Sequence, residues 1–218
     1  MFNSLKSFVL YFFFPHHCIG CGKEKELLCQ KCLKKINRSS LPKNKNVFTV
    51  ADYNDPIVKK AIWLLKYNKV KSIAERLAEL AFQRIDILKE TNKRDFIMIP
   101  IPLSCKRLRQ RGFNQSYLLA KFLSDRLNQA NSEMSFTVID NVLYKKIHTA
   151  NQVSIKNKKE RFKNVIGTFA VKNPEMIFKE NIILIDDVST TGATLKEASK
   201  TLRASGSGKI FAIVLARG

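Results

Sequence analysis

Apolar and polar residues run along this chain in two rhythms. Asp55 to Tyr67 and Ile73 to Leu88 repeat at helical spacing, the second placing Ile73, Leu77, Leu80, Ala81 and Ile85 on one face. Asn114 to Leu127 and Ala193 to Ala204 read the same way, and Ser205-Gly-Ser-Gly208 supplies a helix stop. Short apolar runs lie between them. Phe96 to Ile99 is a buried-strand run ended by Pro100 and Pro102, Ile182 to Ile185 is strongly apolar, and Lys209 to Leu215 forms a last strand. Weaker strands are expected at Phe136 to Tyr144 and Gly167 to Val171. Strands alternating with helices predict an α/β domain with a parallel sheet over residues 47–218. Residues 1–46 form a smaller Cys- and Lys-rich module, with the polar stretch Asn37 to Asn46 as a linker. His148 to Asn164 is polar and basic, and a long loop of that kind is functional or disordered.

Composition narrows the classes. With 45% hydrophobic and 26% charged residues among 218, there is enough apolar matter to offset ordering entropy, which excludes disorder of the whole chain. The net charge of +21 predicts a polyanionic partner: nucleic acid, a phosphorylated ligand or an anionic membrane surface. No apolar run reaches the length of a transmembrane helix. The apolar run Phe8 to Phe14 is short for a signal peptide, only Lys6 precedes it, and no small-residue cleavage site follows. It reads as a short helix docking its aromatic face on the rest of the protein, with shallow membrane contact as the alternative.

Four of the five cysteines form Cys18-x2-Cys21-x7-Cys29-x2-Cys32. Two such knuckles deliver four thiolates to one tetrahedral Zn²⁺, and a closed four-thiolate site is structural. A pair of disulfides is the alternative, unsupported by any secretion signal. His16 and His17 read as bystanders, and Cys105 as a partly buried thiol.

The sharpest signal is the stretch from Asn181 to Ser199. An apolar strand ends at Asp186 and Asp187, and Ser189-Thr190-Thr191-Gly192-Ala193-Thr194 opens a helix. Backbone N–H groups and the positive helix end together hold a phosphate. Carboxylates beside a phosphate repel it unless hydroxyls or Mg²⁺ engage them. The loop lacks the Gly-Lys-Ser/Thr of a Walker sequence.

IILIDDVSTTGAT, residues 182–194, resembles the phosphoribosyl-pyrophosphate motif of type I phosphoribosyltransferases. The resemblance implies that Asp186 and Asp187 hold the ribose hydroxyls as the catalytic acid pair, and that Ser189 to Thr194 bind the 5′-phosphate. It implies a pyrophosphate loop in Ile99 to Ser104, including Pro102, Leu103 and Ser104, with Mg²⁺ accompanying the ligand. A narrower resemblance is to the ComF family of competence-associated, phosphoribosyltransferase-like proteins. Its residues are Arg107, Arg109, Arg111 and Gln115 within RLRQRGFNQ, then Thr149, Gln152, Arg161, Asn164, Gly167 and Phe169, together with the four-cysteine module behind an aromatic segment and Pro15. The implied fold is a type I phosphoribosyltransferase-like parallel sheet flanked by helices, with a small N-terminal zinc module. The implied location is cytoplasmic, with peripheral contact at the inner membrane face.

Basic residues flank the implied pocket. Between Pro100 and Lys121 every charged residue is Lys or Arg, and between Val142 and Val165 there are seven against one Glu. Arg107, Arg109 and Arg111 share one side if extended and spread apart if helical. Phe113, Phe162 and Tyr144 interleave with the charges and suit either base stacking or core packing. Two function classes follow from the ComF resemblance. One is the handling of incoming single-stranded DNA in natural transformation, with a phosphoribosyl-pyrophosphate pocket. The other is an active phosphoribosyltransferase on an unknown acceptor, its basic loop closing over pyrophosphate. A third reading is a zinc-stapled module for a helicase or other DNA-processing protein.

Overall fold

In a computed structural model of the protein, residues 17–39, 46–84, 95–130, 133–146 and 165–218 are described. The aromatic N-terminal segment and the loop His148 to Asn164, with Thr149, Gln152 and Arg161, lie outside them.

The elements follow in the order α1 (Gln30–Lys35), β1 (Val47–Asp52), α2 (Pro56–Tyr67), α3 (Ile73–Arg84), β2 (Asp95–Pro100), α4 (Cys105–Arg111) and α5 (Gln115–Ala130). Then come β3 (Ser135–Val138), β4 (Leu143–Lys145), β5 (Phe169–Val171), a 3-10 turn (Pro174–Ile177), β6 (Ile182–Ser189), α6 (Ala193–Ala204) and β7 (Ile210–Arg217). Five strands form one parallel sheet in the order β1-β7-β6-β2-β3, and β4 and β5 pair antiparallel as a separate ribbon.

The central strands are apolar on both sides because both sheet faces are covered. In β7, Phe211, Ile213 and Leu215 join one cluster with α2, α3 and α5, while Ile210, Ala212 and Val214 join another with α6 and the ribbon. Phe96 and Phe136 sit opposite each other in register and stack at 5.6 Å. Each such fully buried ring contributes about 1.5–3 kcal/mol. The cysteine module shares the first cluster through Leu28, Leu33 and Ile36. Arg84 ties it down, donating from Nη2 to the Ile36 carbonyl at 2.6 Å and from Nη1 to the Val50 carbonyl at 3.1 Å.

Three expectations change. Phe136 to Tyr144 is two strands: β3 stays in the sheet, the turn formers Asp140 and Asn141 intervene, and β4 leaves to pair with β5. The strand at Ile182 runs on through both aspartates to Ser189, because β7 keeps pairing there, Asp186 with Val214 and Ser189 with Arg217. Cys105, expected to be partly buried, is exposed at the start of α4, a helix that buries none of its residues.

Candidate phosphate site and cysteine cluster

The chain leaves β2 toward β3 on one side and leaves β6 toward β7 on the other. The crevice at the carboxyl ends of such a switch point is where open α/β sheets bind ligands. Two segments meet there: Pro102 to Ser104 after β2, and Asp186 to Thr194 from β6 into α6. The Ile101 N–H donates to the Ile185 carbonyl at 2.9 Å, which carries the β2–β6 pairing up to the crevice.

Asp186 and Asp187 are both buried. Asp186 Oδ1 accepts from Ser116 Oγ at 3.3 Å and from the Asp187 N–H at 2.9 Å. Burial first, and the Asp187 carboxylate second, push the Asp186 carboxyl up to about 7. Lys66, from α2, places Nζ 2.9 Å from Asp187 Oδ2. That contact is a close ion pair outside hydrogen-bond geometry, and no other described group bonds the same oxygen. Lys145, on β4, is held below the usual ammonium range by burial and then by the Arg107 charge, with Asp186 acting the other way. Lys66 from α2 and Lys145 from the ribbon thus bring their charges to one acid pair, with the Arg107 charge of α4 acting on Lys145.

The loop beyond the pair turns sharply into α6. Gly192 has φ 74°, the left-handed region that favours glycine, and a Cβ built there would meet nothing within 4 Å. It caps α6, and the Ala193 N–H donates to Thr191 Oγ1 at 3.3 Å. Ser189 is buried, Thr190 is exposed, and Thr194 lies half-buried in the first turn. The positive end of α6 thus follows the two carboxylates within a few residues of chain.

Arg107, Arg109 and Arg111 lie on α4, so they spread. Arg107 and Arg111 share a side at i,i+4, and Arg109 points away. Ser104 caps this helix by accepting from the Arg107 N–H at 3.4 Å. Arg111 donates to Gln115 Oε1 at 2.7 Å and stands 5.8 Å from the centroid of the Tyr67 ring. Gln115 is buried in that contact.

The four cysteine sulfurs converge from the other end of the module. All lie within 4.8 Å of one another, and Cys21 Sγ is 3.6 Å from Cys29 Sγ. Thiolates on a tetrahedral zinc, with bonds of about 2.3 Å, stand roughly 3.8 Å apart, so the four cysteines fit a metal. The knuckle is tight enough that a Cβ on Gly20 would meet Cys32 Sγ at 2.8 Å. Burial disfavours the Cys18 thiolate, yet backbone N–H groups, led by that of Cys29, lower its thiol to about 6. Burial and the neighbouring sulfurs push Cys32 up to about 12. A bound cation relieves that conflict by favouring all four thiolates. His17 is not in the cluster and lies 3.6 Å from Glu24.

The chain is 31% identical over 208 residues to Competence protein F of Haemophilus influenzae, covering 94% of this chain and 85% of the relative. It belongs to the ComF family. Competence protein ComFC of Bacillus subtilis is 32% identical over 88% of this chain and 73% of its own. The DNA utilization protein YhgH of Escherichia coli K12 is 29% identical over 92% and 83%. No model of a protein family matches the chain. Among solved structures, a hypoxanthine phosphoribosyltransferase from Staphylococcus aureus aligns over 66% of this ComF chain and 63% of its own, at a TM-score of 0.37 and 14% identity. At that level the likeness carries no weight. The parallel sheet flanked by helices and the four-cysteine module expected of a ComF protein are both present. No helix among the described residues is long and apolar enough to cross a membrane.

Three members of the site escaped the sequence reading: Lys66, Ser116 and Lys145. Two left a signal. Lys66 continues the buried row Val58, Ile62 at i+4, and Lys145 continues the inward row of Leu143 at i+2. A cation prolonging a buried row calls for a buried carboxylate. Ser116 left none.

Proposed function

We propose that this ComF protein handles single-stranded DNA during natural transformation, with a pocket for phosphoribosyl pyrophosphate at the β6–α6 loop. One observation carries the reading: a buried acid pair, Asp186 and Asp187, stands directly before a Ser/Thr/Gly loop that opens a helix, with open space at Gly192. A ligand suited to that contrast has hydroxyls at one end and a phosphate at the other, which describes a ribose 5-phosphate. Ser189 to Thr194 would hold the 5′-phosphate, and Asp186 and Asp187 the ribose hydroxyls. Pro102 to Ser104, Arg107 and Lys145 would meet the pyrophosphate, and Mg²⁺ accompanying it would be held by the acid pair through water. The names of the relatives, competence and DNA utilization proteins, support the nucleic-acid role. So does the charge of +21, which suits a phosphate backbone with little sequence preference. Zn²⁺ in the cysteine cluster would be structural.

Transfer of the phosphoribosyl group to an acceptor is the second reading. It is favoured by Asp186, whose carboxyl near 7 exchanges a proton at neutral pH. Two assays test the pair of readings. Labelled single strands should bind at low salt and weaken steeply as salt rises, and absence of binding at low salt overturns the first reading. Pyrophosphate release from phosphoribosyl pyrophosphate with candidate acceptors decides the second.

A further inference from the structure

The outward side of α2 combines cations with exposed aromatic rings. Its sequence, PIVKKAIWLLKY, contains no acid, and Val58, Ala61, Ile62, Leu64 and Leu65 are all buried. What remains outside is Pro56, Lys59, Lys60, Trp63 and Tyr67, with Ile57 and Lys66 at the margin. Trp63, the chain's only tryptophan, is 47% exposed, and Tyr67 is 64% exposed. The two rings are one helical turn apart, with centroids 6.4 Å from each other and planes tilted at 41°. Two exposed rings side by side among cations offer flat faces on which planar groups can stack. The cations continue past both ends. Lys59 lies 5.9 Å from the Tyr53 ring centroid, and Arg111 lies 5.8 Å from that of Tyr67. The next residue along the stripe, Lys66, reaches Asp187 of the phosphate site.

We propose that Trp63 and Tyr67 form a stacking platform for two bases of a single strand, with Lys59, Lys60 and Arg111 on its phosphates. Alternating rings and cations match the alternation of bases and phosphates in single-stranded nucleic acid. The platform adjoins the pocket through Lys66, the residue before Tyr67, whose Nζ lies 2.9 Å from Asp187 Oδ2. A membrane surface fits less well: Val58, Ala61, Ile62, Leu64 and Leu65 face the core, which leaves two rings among lysines and no broad aliphatic face to insert among lipids. The inference rests on the single-strand reading above and adds the residues that meet the bases.

The test uses the full-length protein, a labelled deoxythymidine 20-mer and an abasic strand of equal length and charge. The 20-mer should quench Trp63 fluorescence and bind the wild type more tightly than the abasic strand. Trp63→Ala and Tyr67→Ala should each weaken the 20-mer by about 5- to 150-fold, the range for losing one stacked base. Neither variant should change abasic binding, and Trp63→Phe should retain most of the affinity. Equal affinity for the two strands in the wild type overturns the platform while leaving DNA binding in place, and needs no variant to fold. Unquenched Trp63 in a saturated complex does the same. A blue shift with phosphatidylglycerol vesicles but no response to strands assigns the stripe to lipid and overturns the inference. Absence of any strand binding overturns both this inference and the reading beneath it.

Discussion

The cysteine cluster and the β6–α6 site each crowd groups of one charge into a small volume, and they differ in where relief comes from. Four thiols lie between positions 18 and 32, and burial pushes Cys32 up to about 12 while backbone N–H groups bring Cys18 down to about 6. A metal held between the sulfurs would resolve the conflict from inside the module. At the other site two adjacent carboxylates are buried, and the groups that answer them, Lys66, Ser116 and Lys145, arrive from α2, α5 and the ribbon. A site relieved from within draws on residues close together in the chain, although its module packs on the main core. A site relieved from three distant elements depends on the whole sheet, and relief there is incomplete. The Asp186 carboxyl remains near 7 even with Ser116 and Lys66 in place.

The largest effect should come from breaking the cysteine site. Cys29→Ser is expected to lose close to one metal per chain and to unfold the module, because in small zinc modules binding supplies roughly 10 kcal/mol of folding energy. Metal analysis beside thermal unfolding reads this, and a Cys29→Ser protein with full metal content contradicts it.

Asp186→Asn sharpens the other side of the contrast. Asp186 ionises at its ordinary value of 3.8 when unfolded and near 7 when folded. Below 3.8 both states hold the proton; between the two values only the folded state does, so stability falls as pH rises through that window. The neutral amide should remove that slope and raise stability at pH 7.5 by a few kcal/mol. Denaturant unfolding at pH 4 and pH 7.5 measures it, and a variant with the wild-type pH slope rules out Asp186 as its source.

Gly192→Val tests the loop alone. A β-branched residue at φ 74° costs about 1–3 kcal/mol, and its side chain fills the open space over the amides. Phosphate, sulfate and phosphoribosyl pyrophosphate should all lose binding together in calorimetry; retention of any one at wild-type affinity breaks the assignment of the loop. The smallest effect is on the rim. Replacing Arg107, Arg109 and Arg111 together should flatten the salt dependence of single-strand binding by up to about 2 in slope, at about 0.7 per phosphate. Arg109 should contribute least toward the pocket, since it points away from the side shared by Arg107 and Arg111.

The same contrast explains how much could be read from the chain. The cysteine spacing is local chemistry, and the structure gathers the four sulfurs as the spacing required. The central strands were legible because Ile182 to Ile185 and the β7 run are apolar on both faces, which a doubly covered sheet demands. The acid pair and Gly192 were legible because strand, acids and loop are contiguous. The partners of the acids were not. Lys66 sits 120 positions before Asp186, in a helix read only for its apolar stripe, and Ser116 resembles any helix-start serine until Asp186 is set against it. Tyr67 and Trp63 were passed over for the same reason: helical spacing marks which residues face the core, and gives no reason for aromatics on the other side. The extent of β6 was misjudged because pairing with β7, rather than its own apolar run, carries the strand through Asp186.

The central claim is that the acid pair and the loop divide one ligand between hydroxyls and phosphate. Calorimetry of phosphoribosyl pyrophosphate and of inorganic phosphate against wild type and the Asp186→Ala, Asp187→Ala double variant tests it most directly. The account predicts that the double variant loses at least about tenfold in affinity for phosphoribosyl pyrophosphate, more than 1.4 kcal/mol, while phosphate binds as well as before or better, the two repelling charges being gone. Full affinity for phosphoribosyl pyrophosphate in the double variant, or an equal loss for both ligands, would contradict it.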